Sequence, residues 1–197
     1  MSKIWFSSDF HINHGNITGP KVSKWKDGYR NFENTYTMNK EIFNNINKYV
    51  KSEDVLYFLG DFCFGGHSLT PQWRGHIACQ TIHLLRGNHD SHIDIYKDSF
   101  TSINDVLTVK HGQHTFFMSH YKHAIWLGSH KGFIHLYGHS HSNAEKWQIG
   151  KSMDVGIDNA YKLLGEYRPF SIEEVINLMS KREIFFPDHH NGSTNIK

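Results

Sequence analysis

Five apolar runs in this chain end in a carboxylate, a carboxamide or an imidazole, and this pattern limits its fold more than any other feature. KIWFSSDFH passes from Ile4–Phe6 into Asp9 and His11, and VLYFLGD ends in Asp61. TIHLLRGNHD ends in Asn88, His89 and Asp90, HTFFMSH in His120, and GFIHLYGHSH in His139 and His141. Short apolar runs bounded by turn residues read as buried strands. A buried charge or imidazole is costly unless it is paired or bound to a metal. In open α/β sheets, ligands bind at the carboxyl ends of strands, so five such ends predict one edge where these groups meet. Gly60, Gly87 and Gly138 each sit just before the polar residues, where a sharp turn or a close backbone approach is needed.

The rest of the chain alternates in α/β fashion. Met38, Ile42, Ile46, Tyr49 and Val50 recur at helical spacing. Thr70-Pro71 can open a short helix, and Ser171 with Glu174 forms a capping box ahead of VINLM. His111-Gly112-Gln113 reads as a hairpin turn between two strands, and SMDVGID as one more strand. Residues 13–36 are polar and irregular, which predicts a long surface loop of a kind that is often functional. With 197 residues and no internal repeat, the chain reads as one domain over 1–185 and a polar tail over 186–197, in which His189 and His190 are solvated.

Composition narrows the function. A net charge of +2 argues against a strongly basic nucleic-acid coat. Cys63 and Cys79 form no C-x-x-C pair and no disulfide framework, which suits a reducing cytoplasm. No apolar stretch reaches ~18 residues and no signal-peptide pattern opens the chain. The expectation is a cytoplasmic protein without a membrane anchor. The 17 histidines are either surface residues or ligands and acid–base groups, and position must separate them.

Asp9, His11, Asp61, Asn88, His120, His139 and His141 are too many donors for one four-coordinate site. They suit two metals sharing a carboxylate. Mixed oxygen and imidazole donors without thiolate favour Mn²⁺, Fe²⁺, Zn²⁺ or Ni²⁺ over Ca²⁺, with Mn²⁺ placed first. Taken in order, D-x-H, G-D, G-N-H-D, a lone His after an apolar strand, and G-H-x-H resemble the calcineurin-like metallophosphoesterase superfamily. The motifs span residues 9–141, and MDVGIDNAYKLLGEYRPFSIEEV also looks like its small single-domain members. The resemblance implies a four-layer α/β/β/α sandwich of two mixed sheets flanked by helices. It implies one metal on Asp9, His11 and His141, another on Asn88, His120 and His139, Asp61 bridging them, and His89 as the acid facing the leaving group. A hydroxide between the metals would attack the phosphorus in line.

The remaining candidates are open to two readings each. Asp90 either orients a neighbouring imidazole or closes a salt bridge or cap. His14 either contacts substrate or is a solvated loop residue, and Arg86 either meets a phosphate oxygen or forms a surface ion pair. Tyr121, Lys122 and His123 follow His120 and are expected at the cleft rim. His76, His83, His92 and His135 read as structural or surface residues. The loop PKVSKWKDGYR interleaves Lys21, Lys24, Lys26 and Arg30 with Trp25 and Tyr29, a pattern that fits nucleic-acid contact or plain solvation. The favoured substrate is a nucleotide or nucleic-acid-like phosphodiester, with a phosphomonoester second. FCFGGH after Asp61 lacks the V-D-R-G pattern of the Ser/Thr protein phosphatases. A non-catalytic scaffold is the third reading.

Overall fold

The computed structural model describes residues 2–24 and 29–187. Its elements in chain order are β1 (Ile4–Ser7), α1 (Gly15–Thr18), α2 (Thr35–Tyr49), β2 (Val55–Phe58), α3 (Thr70–Arg74), β3 (Thr81–Leu85), β4 (Ser102–Asn104), β5 (Val106–His111), β6 (His114–Ser119), β7 (Ile134–Tyr137), β8 (Ser152–Asp154), α4 (Ile157–Leu164), β9 (Phe170–Ser171) and α5 (Ile172–Ser180). They form two mixed sheets flanked by helices. One has strand order β4-β3-β2-β1-β9, the other β5-β6-β7-β8. β1 to β4 run parallel, and β9 pairs antiparallel with β1. β6, β7 and β8 run parallel, and β5 is antiparallel to β6.

Successive side chains along a strand point to opposite faces, and this period separates two cores. Trp5, Leu56, Phe58, Ile82 and Leu84 face α2, which contributes Met38, Ile42 and Ile46. Phe6, Tyr57, Leu59 and Leu85 face the second sheet and meet Phe116, Met118, Ile134 and Leu136. The Phe6 ring lies 5.0 Å from that of Phe116 and joins the sheets. Truncating so buried an aromatic costs about 3–5 kcal/mol. Ala160 of α4 with Val175 and Met179 of α5 close this core. The outer face of the four-stranded sheet carries Phe117, His135 and Tyr137 and is covered around Trp126 by short 3₁₀ turns.

Helix ends obey the local chemistry. Asn34 and Thr37 form a capping box at α2, and Ser171 and Glu174 another at α5. α3 has proline in its first turn. The β5–β6 hairpin turns at Gly112, with φ +58°. Two expectations change. Residues 13–36 are more than a surface loop, because α1 forms and Ile17, Thr18 and Arg30 are buried. SMDVGID is a strand only through Asp154. The Asp154 carboxylate accepts Gly156 N–H at 2.7 Å and its carbonyl accepts from the Asn159 amide at 2.7 Å, which turns the chain into α4. Trp25 and Lys26, and His189 and His190 of the expected tail, lie outside the described residues. No helix among the described residues is long and apolar enough to cross a membrane.

Candidate metal centre

The strand ends converge because parallel neighbours share a direction and the two sheets meet at one edge. Asp9 N–H donates to the Gly60 carbonyl at 2.9 Å, and Gly138 N–H to the His120 carbonyl at 2.9 Å. His120 Nδ1 reaches across the sheets to the Leu59 carbonyl at 2.6 Å. The turns after the strands are tight. Asp9, His11, Asp61, His139 and His141 all have φ between +45° and +65°. A non-glycine residue pays roughly 1–2 kcal/mol for that conformation, and such strain gathers at functional sites. Glycines provide the close approach. A Cβ on Gly87 would lie 2.2 Å from Asp61 Oδ1, and one on Gly138 1.9 Å from Ser8 Oγ and 2.6 Å from Asp9 Oδ2.

Two groups of potential cation ligands result, Asp9 with His11 and His141, and Asp61 with His120 and His139. In each, ligand atoms lie within 4.8 Å of one another. Asp61 Oδ2 is 3.5 Å from His11 Nε2 and 3.5 Å from His120 Nε2, so one oxygen stands between the groups. Asn88 Oδ1 lies 3.1 Å from His120 Nε2 and 2.9 Å from His139 Nδ1.

The donor chemistry fits cations. With Nδ1 at the Leu59 carbonyl, His120 turns Nε2 toward Asn88 Oδ1 and Asp61 Oδ2. An imidazole nitrogen and two side-chain oxygens directed at one point are a donor set that a metal can use. His11 Nε2 is buried without a hydrogen-bond partner among the described residues, which fits a group that holds an ion. His141 is oriented by Asp158, whose Oδ2 accepts from Nδ1 at 2.7 Å, the arrangement that fixes a ligating imidazole. Asp158 in turn holds Arg30 through both oxygens at 2.8 Å, and Arg30 donates to the carbonyls of Asp9 and Phe10.

Burial pushes the Asp9 carboxyl up, and also lowers His11 and His139. For His141, burial works downward, but the Asp158 hydrogen bond and charge raise it overall. Asp158 is held below the usual carboxylate range: burial opposes, and Arg30 and His141 prevail.

The structure brings all seven predicted ligand residues to one place, with His89 beside them. The exposed His89 ring is 5.6 Å from that of His11 and 4.5 Å from that of Phe64, and its backbone N–H donates to Asp61 Oδ1 at 2.9 Å. His14 stacks on Phe64 at 3.7 Å and puts Nδ1 3.2 Å from His11 Nδ1. Burial lowers its pKa to about 4. Tyr121 is half exposed at the rim, 4.7 Å from the His139 ring.

The contacts favour the cap reading of Asp90 and the ion-pair reading of Arg86, and they correct the expectations for Lys122, His123 and Arg30. Among the described residues, Asp90 accepts from no imidazole. Its buried carboxylate accepts from the N–H groups of Asp61 at 2.7 Å, Phe62 at 3.1 Å and Gly87 at 2.9 Å, clamping the Asp61 turn. Arg86 is held by Asp94 and Asp105 at 2.5 and 2.9 Å and is not directed at the site. Lys122 is tied to Tyr137 and to the Ala144 and Trp147 carbonyls, and the His123 ring packs edge-on against Phe117 and His135, so both sit against the outer face of the four-stranded sheet. Arg30 is a buried positioning residue and no phosphate contact. Sequence reasoning named Arg30 in another role and missed Asp158 and Phe64. Only the Asp158 position, at the start of a helical Ile157–Ala160–Leu164 spacing, left a trace in the sequence.

The fold and site together define an α/β two-sheet protein with paired Asp/His groups that could hold cations. No known family model matches the chain. It is 25% identical over 191 residues to an uncharacterized protein of Methanocaldococcus jannaschii, covering 93% of this chain and 95% of the relative. The gene 66 protein of Mycobacterium phage D29 is 23% identical over 193 residues, covering 83% and 92%. Among solved structures, a protein of unknown function from Aquifex aeolicus shares the fold, with a TM-score of 0.67 and 22% identity over 90% of this chain and 100% of its own. A chain described as a novel archaeal phosphodiesterase gives a looser match, with a TM-score of 0.47 and 19% identity over 86% and 99%.

Proposed function

We propose that this protein is a dinuclear-metal-dependent phosphoester hydrolase that prefers phosphodiesters to phosphomonoesters. The observation that carries the reading is the single Asp61 oxygen 3.5 Å from an imidazole of each ligand group. Asp9, His11 and His141 would hold one cation, and Asn88, His120 and His139 the other, with Asp61 shared. The donor set suits Mn²⁺ first, and also Ni²⁺, Fe²⁺ or Zn²⁺. Such a pair, when bound, neutralises phosphate charge and acidifies water.

The chain's own residues do the remaining work. The Leu59 carbonyl and Asp158 hold His120 and His141 by Nδ1 and keep their Nε2 lone pairs inward. Asp90 fixes the Asp61 turn, and Asp61 fixes the backbone of His89. As the oxygen of water bonds to phosphorus and one of its protons passes to solvent, the ester P–O bond breaks and His89 gives its proton to the leaving oxygen, regaining one from solvent after the products leave. Asn88, His89, His139 and Tyr121 are exposed, so the cleft admits a phosphate with two ester arms. A scaffold has no use for a buried, unpartnered His11 Nε2.

The test is turnover by metal-depleted protein supplied with Mn²⁺, Ni²⁺, Zn²⁺, Mg²⁺ or Ca²⁺ in turn. Cleavage of bis-p-nitrophenyl phosphate over p-nitrophenyl phosphate with a transition metal is expected. His89→Ala should lose ~10²–10⁴-fold on an alkyl leaving group and less on p-nitrophenolate, which leaves readily without a proton. Preference for the monoester would refute the diester assignment, and no turnover on either ester would refute the hydrolase reading.

A further inference from the structure

We infer that the cavity beside His141 is a stacking subsite for a heteroaromatic base on the retained arm of the substrate, so that the substrates are nucleoside-bearing phosphodiesters. The inference rests on the hydrolase reading above. The cavity, of about 590 Å³, is lined by Tyr29, Asn31, His141, Asn143, Tyr161 and Tyr167. Tyr161 lies flat on Tyr167, with ring centroids 4.3 Å apart and planes 9° apart. Tyr167 is buried and its hydroxyl donates to the Arg30 carbonyl at 3.1 Å. Tyr161 is 50% exposed. A fixed ring therefore backs an accessible one, a rigid platform that loses little freedom when a flat group stacks on it.

The platform is tied to the ligand groups. Asp158 and Tyr161 are three residues apart on α4, on one face and about 4.5 Å apart along the helix axis. Asp158 also holds His141. A phosphate at the ligand groups thus lies within nucleoside reach of the Tyr161 ring.

The chemistry of the walls selects the occupant. The Arg30 guanidinium is spent on both Asp158 oxygens and on the carbonyls of Asp9 and Phe10. No side-chain hydrogen bond engages Asn31 or Asn143 among the described residues. The cavity therefore offers aromatic faces and amide edges, which suit an uncharged base with donors and acceptors on its rim and do not suit a second phosphate.

A separate cavity of about 280 Å³ takes in Phe64, Asn88 and His89. The His11 ring neighbours both, at 5.0 Å from His141 and 5.6 Å from His89. One cavity adjoins each ligand group, which matches a phosphate with two arms: the leaving arm toward His89, the retained arm toward Tyr161.

The test compares kcat/KM for thymidine 5′-(p-nitrophenyl phosphate) with that for methyl p-nitrophenyl phosphate, using Mn²⁺-loaded protein. The nucleoside ester should be favoured in the wild type. Tyr161→Ala should lower the ratio about tenfold, through KM, as loss of one stacked base does, and Tyr161→Phe should restore it. Equilibrium dialysis of thymidine against metal-free protein reads the subsite without turnover, with binding by wild type and Tyr161→Phe that weakens about tenfold in Tyr161→Ala. An unchanged ratio and unchanged dialysis in Tyr161→Ala would overturn the subsite while leaving the hydrolase intact. Failure to cleave either ester would overturn the hydrolase reading on which the inference rests, and thymidine binding would then report on the cavity alone.

Discussion

His120, just past β6, and His135, inside β7, are both buried, and each turns Nδ1 toward a backbone carbonyl, Leu59 at 2.6 Å and Phe117 at 3.2 Å. They differ at Nε2. In His135 it accepts the His123 N–H at 2.9 Å, so the ring is satisfied as a neutral group. In His120 it faces Asn88 Oδ1 and Asp61 Oδ2, acceptors both. Identical residue types thus serve opposite ends. One completes a hydrogen-bond network inside a strand, and the other presents its Nε2 to oxygen atoms with which it could hold a cation. The same contrast holds more widely. His83 bonds the Ser102 hydroxyl at 2.8 Å and His111 the Tyr57 hydroxyl at 3.1 Å, whereas His11 Nε2 has no hydrogen-bond partner among the described residues.

Changing the shared acceptor should break the contrast most severely. Asp61→Asn removes the charge between the two groups and is expected to lower turnover at least ~10³-fold, the scale of several kcal/mol of Lewis-acid stabilisation. Metal content measured on the same sample should fall below two per chain. An intermediate effect is expected one step farther out. Asp158→Asn weakens the hold on His141 and should reduce affinity for one of two cations by about 10–100-fold, read as two resolved steps in a calorimetric titration.

His135 should show the smallest effect on activity and a clear one on stability. Burial depresses its pKa to about 3, against ~6.5 unfolded. In that window the unfolded chain binds the extra proton, so stability is full above pH ~6.5 and is lost as pH falls toward 3, at about 1.4 kcal/mol per unit for a titrating group. His135→Leu should flatten that part of the pH–stability curve measured by urea unfolding. It should also cost about 1–3 kcal/mol at neutral pH, because the His123 N–H and the Phe117 carbonyl lose their partner. Turnover should change less than about twofold; a His120-like loss would mean that the two histidines are not distinct.

The contrast between strand interior and strand end was legible in the sequence. His83 and His135 fall inside apolar runs, while His11, His120, His139 and His141 follow them. The strands β1–β3 and β5–β7, the start of β8, the hairpin at Gly112 and the capping box at Ser171 were legible too, because each rests on short-range chemistry. By contrast, β4 and β9, three and two residues long, carry no apolar run that marks them. Other features depend on contacts far apart in sequence. Arg30 reaches Asp158 across 128 residues, and no spacing announces such a pair. The left-handed turns at Asp9, Asp61 and His139 use residue types that tolerate φ > 0 better than most, but Asp and His are far commoner in other conformations, so residue type alone does not mark these turns. Asp90 shows the limit most clearly. Its place in G-N-H-D reads equally as catalysis or as a cap, and only the three backbone N–H groups around it decide for the clamp.

The most direct measurement of the central claim is a Mn²⁺ titration of metal-free protein followed by calorimetry and electron paramagnetic resonance. Two ions per chain with a spin-coupled signal are expected, because one Asp61 oxygen stands 3.5 Å from an imidazole of each group. A single ion, or two ions with uncoupled spectra, would contradict a shared centre.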